Sequence, residues 1–305
     1  MSPRLLVIGE ALVDIVAGPS GERTEYVGGS PANVAMGLSR LGHAVDFAGC
    51  LGRDERGRRV CDHLGSHGVQ VLAESFGDDP TSTAVATLDE GGAATYEFDL
   101  HWNLPTLSLP DGTGHVHTGS IGTVLAPGAA SVTAALHAAR ERGTVSYDPN
   151  IRPSIMGDLD AVRVRVEELV GLSDVVKASE DDLDLLYAGQ SPEQVMAGWV
   201  GLGAGLAVVT LGADGVVFRV AADGAVGRSS TRAGQVVDTV GAGDSFMAGL
   251  VSGLVVAGLL GDPGARPRLR SATLEEIQPA IDRGLTTSAV TVGRAGAYAP
   301  GLDEL

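Results

Sequence analysis

Short runs of consecutive apolar residues recur along this chain, with helical patterns between them, and few folds accommodate that rhythm. Residues 5–8 form the first run, and others sit in VHTGSI from Val116, VSYDPN from Val145, DVVKAS from Asp174 and LAVVTLG from Leu206. A strand that is apolar at every position is covered on both faces, as in a parallel sheet flanked by helices. Residues 30–41 read as one such helix, with Val34, Leu38 and Leu41 on one face. Residues 126–142 and 158–169 read as two more. Strands alternating with helices predict an α/β fold with a mostly parallel, doubly wound sheet. A length of 305 residues suits one large α/β domain with an accessory piece.

Two segments break the rhythm. Residues 10–28 and 81–105 alternate apolar and polar positions, and TAVATLDEGGAATYEFDL reads as a hairpin turning at Asp89-Glu90-Gly91-Gly92. They predict a small second sheet, either an edge hairpin or a lid over a pocket. The segment GDPGARPRLRSATLEEI reads as a loop between two helices. Residues 247–261 are apolar but contain Ser252 and four glycines. They fall short of the roughly 20 residues of a membrane span, so a buried helix is expected. The chain shows no internal repeat and no low-complexity tract.

The formal net charge of -17 disfavours nucleic acid and anionic membrane as partners, since either needs a basic face. A phosphate ligand stays open, because backbone N–H groups can hold it. Two cysteines, Cys50 and Cys61, give neither a metal motif nor a disulfide framework. The apolar run before Gly9 is too short for a signal-peptide core. A reduced, cytoplasmic setting is expected.

Lys177 is the only lysine, and no glycines precede it in DVVKAS, which excludes a P-loop. Gly201, Gly203 and Gly205 lie before a strand rather than after one, so a dinucleotide fingerprint and a dehydrogenase fail as well. VDTVGAGD fits anion chemistry better. Gly241 and Gly243 permit a tight turn whose N–H groups converge, and the helix that follows adds its positive end. Such a turn holds an anion, or negative charge that develops in a reaction. Asp244, at the start of that helix, reads as a cap or as a reagent.

VVDTVGAGDSFMAGL closely resembles the second signature of the PfkB, or ribokinase-like, carbohydrate kinases, and GGSPANVAMGLSRLG resembles the first. GEALVDIV, DPNIRPSI, KASEDDL, VVTLGADG and TVGRAGA resemble further family blocks, in family order and over nearly the whole chain. The resemblance implies a ribokinase-like αβα sandwich spanning residues 1–305, with a small β lid formed roughly by 10–28 and 81–105. It implies an ATP-dependent sugar kinase. Asp244 would accept the proton of the attacking hydroxyl, and Gly241, Ala242 and Gly243 would form the anion hole. Asp14, Gly28, Gly29 and Asn33 would contact the sugar, with Arg152 reaching the substrate or the transferred phosphate. Ser179, Asp182, Thr210, Gly212 and Gly215 would lie on the nucleotide side. Many ribokinases carry Asn and Glu where Ser179 and Asp182 stand, which points to a magnesium contact through water. Asp238 and the carbonyls of Val240, Thr291, Arg294 and Gly296 would hold K⁺. Pairing of lids would give a homodimer.

Ser30-Pro31 and DPNIRP resemble the fructokinase form, so unphosphorylated fructose is the expected substrate. Relatives acting on 2-keto-3-deoxygluconate share much of the pattern, a ribonucleoside is a further alternative, and a silent sugar-binding regulator is the alternative of another class. Tyr96 and Phe98 share one strand face, to cover a sugar or to fill a small lid core. His63 and His67 read as a solvated helix face, His115 and His117 as structural, and Cys50 as packing behind the first signature helix.

Overall fold

The computed structural model describes residues 3–18, 22–88 and 94–305, so the expected turn at Asp89-Glu90-Gly91-Gly92 lies outside the described residues. The chain opens with β1 (Arg4–Ile8), β2 (Leu12–Ala17), β3 (Arg23–Gly28) and α1 (Ser30–Arg40). β4 (Val45–Ala48), β5 (Leu51–Gly52), α2 (Glu55–Ser66), β6 (Gln70–Val71) and β7 (Phe76–Gly77) follow, then β8 (Thr83–Leu88) and β9 (Ala94–Asp99). β10 (Thr113–Gly119), α3 (Gly128–Arg142), β11 (Thr144–Asp148), α4 (Pro153–Met156) and α5 (Leu159–Leu172) continue the alternation. So do β12 (Val175–Ser179), α6 (Glu180–Leu186), α7 (Pro192–Leu202), β13 (Leu206–Thr210), β14 (Val216–Val220) and β15 (Val226–Ser229). The chain closes with α8 (Ala242–Val256), α9 (Ala265–Ser271) and α10 (Leu274–Val292).

Among the described residues the large sheet has nine strands in the order β15-β14-β13-β12-β11-β10-β1-β4-β6. It is parallel from β6 to β13, and β14 and β15 turn antiparallel at one edge. The continuous apolar runs are explained by burial on both faces. In β1, Leu5 and Val7 enter one core and Leu6 and Ile8 the other. The first core packs α1, α8 and α10 through Leu38, Leu250 and Ile281. The second packs α3, α5 and α7 through Leu136, Val166 and Trp199. The αβα sandwich is therefore present.

The two alternating segments supply β2, β3, β8 and β9, which form a separate four-stranded sheet in the order β3-β2-β8-β9. Its outer pairs are antiparallel and its central pair, β2 with β8, is parallel. Residues 247–256 belong to buried α8, as expected, and no helix among the described residues is long and apolar enough to cross a membrane. The segment from Gly261 differs from its loop reading, because it contains α9. Pro267 sits in the first turn, where backbone N–H groups lack intrahelical acceptors anyway, and Ala265 and Leu269 are buried. Cys50 also differs: it packs at the edge of the core that lies on the other side of the sheet from α1.

The chain leaves β1 toward β4 and β6 on one side, then returns to build β10 to β13 on the other. Strand order thus reverses between β1 and β10, and open α/β sheets bind ligands beyond the carboxyl ends of strands at such a point. Glu10, Ser120, Asn150 and Arg152 all follow such strand ends.

Candidate active site

Two cavities meet above this end of the sheet. One, of about 720 Å³, lies under the four-stranded sheet and is lined by Asp14, Gly29, Asn33, Arg152, Gly241 and Asp244, among others. The second, of about 590 Å³, is lined by Ser179, Asp182, Thr210, Gly212, Gly215 and Ala242. Asn150, Lys177, Thr239 and Gly243 line both. The residues expected to touch a sugar and those expected to touch a nucleotide therefore separate into adjoining chambers, and Gly243 stands where they join.

Asp244 lies in the first turn of α8, yet it does not cap it. The N-cap is Gly241, in the left-handed conformation at φ 76, with no side-chain cap bond. Ser30 Oγ donates to Asp244 Oδ1 at 2.6 Å, and Asn33 Nδ2 donates to Oδ2 at 2.8 Å. Each carboxylate oxygen is thus fixed by one donor from α1 and keeps lone-pair capacity for another. Burial raises the Asp244 pKa, while Ser30, Asn33, Lys177 and Arg152 pull it back. A carboxylate whose pKa is raised is, in its ionised form, a better proton acceptor than an exposed one.

The glycine turn is shaped by close approaches. A Cβ on Gly241 would lie 2.7 Å from Ala297 Cβ, so the turn packs directly against the C-terminal loop. Gly29, at φ 112, caps α1, and a Cβ there would lie 2.5 Å from the Glu10 carbonyl. Gly28 does not line the cavity and stands one layer back, where a Cβ would collide with the Asp14 carboxylate. Burial raises the pKa of Asp14. Asn33 Oδ1 is buried without a partner among the described residues, an acceptor left for a hydroxyl.

Several contributors escaped the sequence reading. Glu10 lines the first cavity, and its carboxylate accepts the Gly122 N–H at 3.3 Å. Burial pushes its pKa up to about 7. Ser120 and Asn150, at φ 54 and 41, are non-glycine residues in the left-handed region, and both line that cavity. Such backbone costs of order 1–3 kcal/mol and gathers at functional sites. Ser30 belongs to the Ser30-Pro31 pair that resembles the fructokinase form, and its hydroxyl orients Asp244. Lys177, at 5 % side-chain exposure, donates to Asp148 Oδ2 at 2.8 Å. A single chain offers no local pattern that singles out Glu10, Ser120 or Lys177, because their partners lie on distant strands.

Ser179 and Asp182 do more than border the second cavity. They form a reciprocal capping box on α6, with Ser179 N–H donating to Asp182 Oδ2 at 2.8 Å and Asp182 N–H donating to Ser179 Oγ at 3.1 Å. Asp182 Oδ1 accepts the Ile151 N–H at 2.7 Å, tying α6 to the DPNIRP loop. Most of this carboxylate's acceptor capacity is thereby used, so the donor set fits a divalent ion only through water. Gly212 and Gly215, at φ 55 and 92, close the turn after β13.

Asp238 joins the glycine turn to the C-terminal loop. Its Oδ1 accepts the Val240 N–H at 3.0 Å and its Oδ2 the Gly296 N–H at 2.8 Å, bonds that lower its pKa. Thr291 is buried and donates to the Tyr298 carbonyl at 2.9 Å, while its own carbonyl accepts the Arg294 N–H. The groups that the resemblance names here, one carboxylate and backbone carbonyls, are all oxygen, the ligand type a hard cation takes. Arg294 stacks over Tyr298 at 5.6 Å.

Tyr96 and Phe98 stack at 6.2 Å and face the first cavity, with 61 and 39 % exposure, rather than filling a core in the small sheet. His115 and His117 are buried and bonded to Ser146 Oγ at 2.9 Å each, a structural arrangement. His63 and His67 lie at the end of α2, and no metal-holding cluster of His, Cys, Asp or Glu is found among the described residues.

Two chambers joined at a glycine turn beside a fixed carboxylate suit the transfer of a group between two bound molecules. Residues 2–304 match the pfkB family carbohydrate kinase model, and the chain belongs to that family. It is 33% identical over 271 residues to a fructokinase of Klebsiella pneumoniae, covering 85% of this chain and 87% of the relative. A fructokinase with bound ATP from Xylella fastidiosa superposes with a TM-score of 0.84 at 27% identity, covering 100% of this chain and 97% of that one. A double mutant of the Vibrio cholerae O395 fructokinase, in fructose, ADP and potassium ion bound form, gives 0.81 at 27% identity, covering 99% of this chain and 97% of that one.

Proposed function

We propose that the protein is an ATP-dependent kinase of an unphosphorylated sugar, with fructose the preferred acceptor. The observation that carries this reading is the Asp244 carboxylate, held by Ser30 and Asn33 beside Gly243, where the two cavities join. The sugar occupies the first cavity, and Asp14 and the free Oδ1 of Asn33 bind its hydroxyls. Asp244 takes the proton of the hydroxyl that attacks the γ-phosphorus. The N–H groups of the turn at Gly241, Ala242 and Gly243 receive the negative charge of the transferred group. ATP lies along the second cavity, against Thr210, Gly212 and Gly215. Asp182 would hold a magnesium ion through water, and that ion would supply positive charge against the phosphates. Asp238 and the carbonyls of Val240, Thr291, Arg294 and Gly296 would hold a potassium ion, which would steady the glycine turn.

The chain works as a single catalytic unit over residues 1–305, in which the four-stranded sheet is a lid that lays Tyr96 and Phe98 over the apolar side of the sugar. Its outer strands, β3 and β9, pair with no further strand among the described residues. Lid-to-lid pairing makes a homodimer, and a monomer mass by light scattering would remove that part of the reading. Among the described residues the basic side chains lining the first cavity are Arg152 and Lys177, and Lys177 stands at the junction with the second cavity rather than at the sugar end. That favours a neutral sugar over a sugar phosphate. A keto-acid such as 2-keto-3-deoxygluconate is the second reading, favoured by Arg152, whose guanidinium suits a carboxylate.

ADP release measured with Mg-ATP and a panel of fructose, 2-keto-3-deoxygluconate, ribose, adenosine and fructose 6-phosphate tests the assignment. Fructose should give the highest kcat/KM. A preference for the keto-acid moves Arg152 to carboxylate binding, and no turnover with any of the five contradicts the kinase reading.

A further inference from the structure

We propose that Lys177 is a further catalytic residue, whose ammonium contacts the phosphoryl group as it crosses from nucleotide to sugar; this rests on the kinase reading above. Among the described residues Lys177 is one of four that line both cavities, and the only charged one. Its neighbour at that junction is the anion-hole turn: a Cβ placed on Gly243 would lie 3.1 Å from Nζ. Since Gly243 has no side chain, nothing on that residue screens the ammonium from the turn.

The hydrogen bonding leaves the ammonium available. Of its three N–H groups, one goes to Asp148 Oδ2, and among the described residues the others have no partner. An ammonium this deeply buried normally fills its donors. Burial works against its charge, but Asp148, then Asp182 and Asp244, outweigh it and hold the lysine protonated. The choice of residue points the same way. The chain has twenty-one basic residues, and Lys177 is its only lysine. Arginine is the better partner for a buried carboxylate, because its planar fork can bind both oxygens. Here Asp148 Oδ1 is left without a partner, so the pair is not built for the strongest ion pair. A compact point charge on a flexible stem suits a group that moves during reaction.

In the step itself, the sugar hydroxyl oxygen forms a bond to the γ-phosphorus and its proton goes to Asp244. The bond from phosphorus to the bridging oxygen breaks, and its electron pair stays on the ADP that leaves. Lys177 neither gains nor loses a proton. It offers its two spare N–H groups to the phosphoryl oxygens, alongside the backbone donors of the turn.

The test uses the full-length protein. Lys177→Met alone strands Asp148 as a buried unpaired charge, so the double variant Lys177→Met/Asp148→Asn is measured beside it. If the proposal holds, kcat in both falls by about 100- to 1000-fold, while the KM for sugar changes less than about threefold. Lys177→Arg should recover only part of kcat. Because there is one lysine, lysine labelled with ¹⁵N at Nζ gives one side-chain signal in the unmutated protein. That signal should shift with Mg-ADP, aluminium fluoride and fructose together, and not with fructose alone. Wild-type turnover with a double-variant kcat within about threefold overturns the role of Lys177 only. So does an unmoved signal in the trapped complex, which decides the matter even if the variants do not fold. A wild type inactive on every sugar of the panel overturns the kinase reading, and the role of Lys177 with it.

Discussion

Asp244 lies where burial disfavours a charge, and two neutral donors on another helix favour the charged form. A raised carboxylate used as a base loses activity as acid protonates it. The acid limb of kcat/KM should therefore have its midpoint above the ordinary Asp value of about 3.9. Hydrogen bonds to the charged form lower a pKa, so Ser30→Ala should move that limb to higher pH. A limb that stays in place in the pH profile of this variant would separate Ser30 from the base. His115 and His117 behave oppositely, since burial pushes both down to about 3. Both rings should stay neutral at pH 5, which their ¹⁵N shifts will report; an imidazolium pattern there would contradict the burial account. The sequence revealed Asp244 and its turn because local glycines and a family signature mark them. It did not reveal that Ser30 holds Asp244, because that bond spans 214 residues of chain.

At the scale of elements, α8 and α10 show why the chain spends glycines inside a helix. A Cβ on Gly253 would lie 2.6 Å from Ala280 Cα, and one on Gly249 would lie 2.4 Å from Thr287 Oγ1. These small residues let α8 and α10 approach closely just behind the glycine turn. Gly253→Val should cost about 1–3 kcal/mol of unfolding free energy in urea, since the added atoms meet backbone rather than a flexible tip. A change below about 0.5 kcal/mol would mean that the helices can separate freely. Alternating residues made the four-stranded sheet legible, and continuous apolar runs did the same for the large one. The capping box of Ser179 and Asp182 was equally visible as S-x-x-D, but a nucleotide role overshadowed it. The helix after Gly261 was hidden by Pro267, although proline is tolerated in a first turn. The lid reading makes its own prediction: Tyr96→Ala should raise the KM for fructose by several-fold with little change in kcat, and an unchanged KM would detach the ring from the sugar.

For the whole molecule, the reversal of strand order between β1 and β10 gathers loops from β1, β10, β11, β12 and β13 at one end of the sheet. No stretch of sequence contains that convergence. It follows from the order in which strands pair. Asp238 then couples the C-terminal loop to the glycine turn through Val240 and Gly296. Turnover should be faster in K⁺ than in Na⁺ at equal ionic strength, and equal rates would remove the cation from the account. The most direct measurement compares wild type with Asp244→Asn, following ADP release with fructose and Mg-ATP and measuring fructose binding by calorimetry. The variant should lose at least about 100-fold in kcat and still bind fructose within a few-fold of wild type. Near-normal turnover by Asp244→Asn would contradict the central claim that this carboxylate is the base.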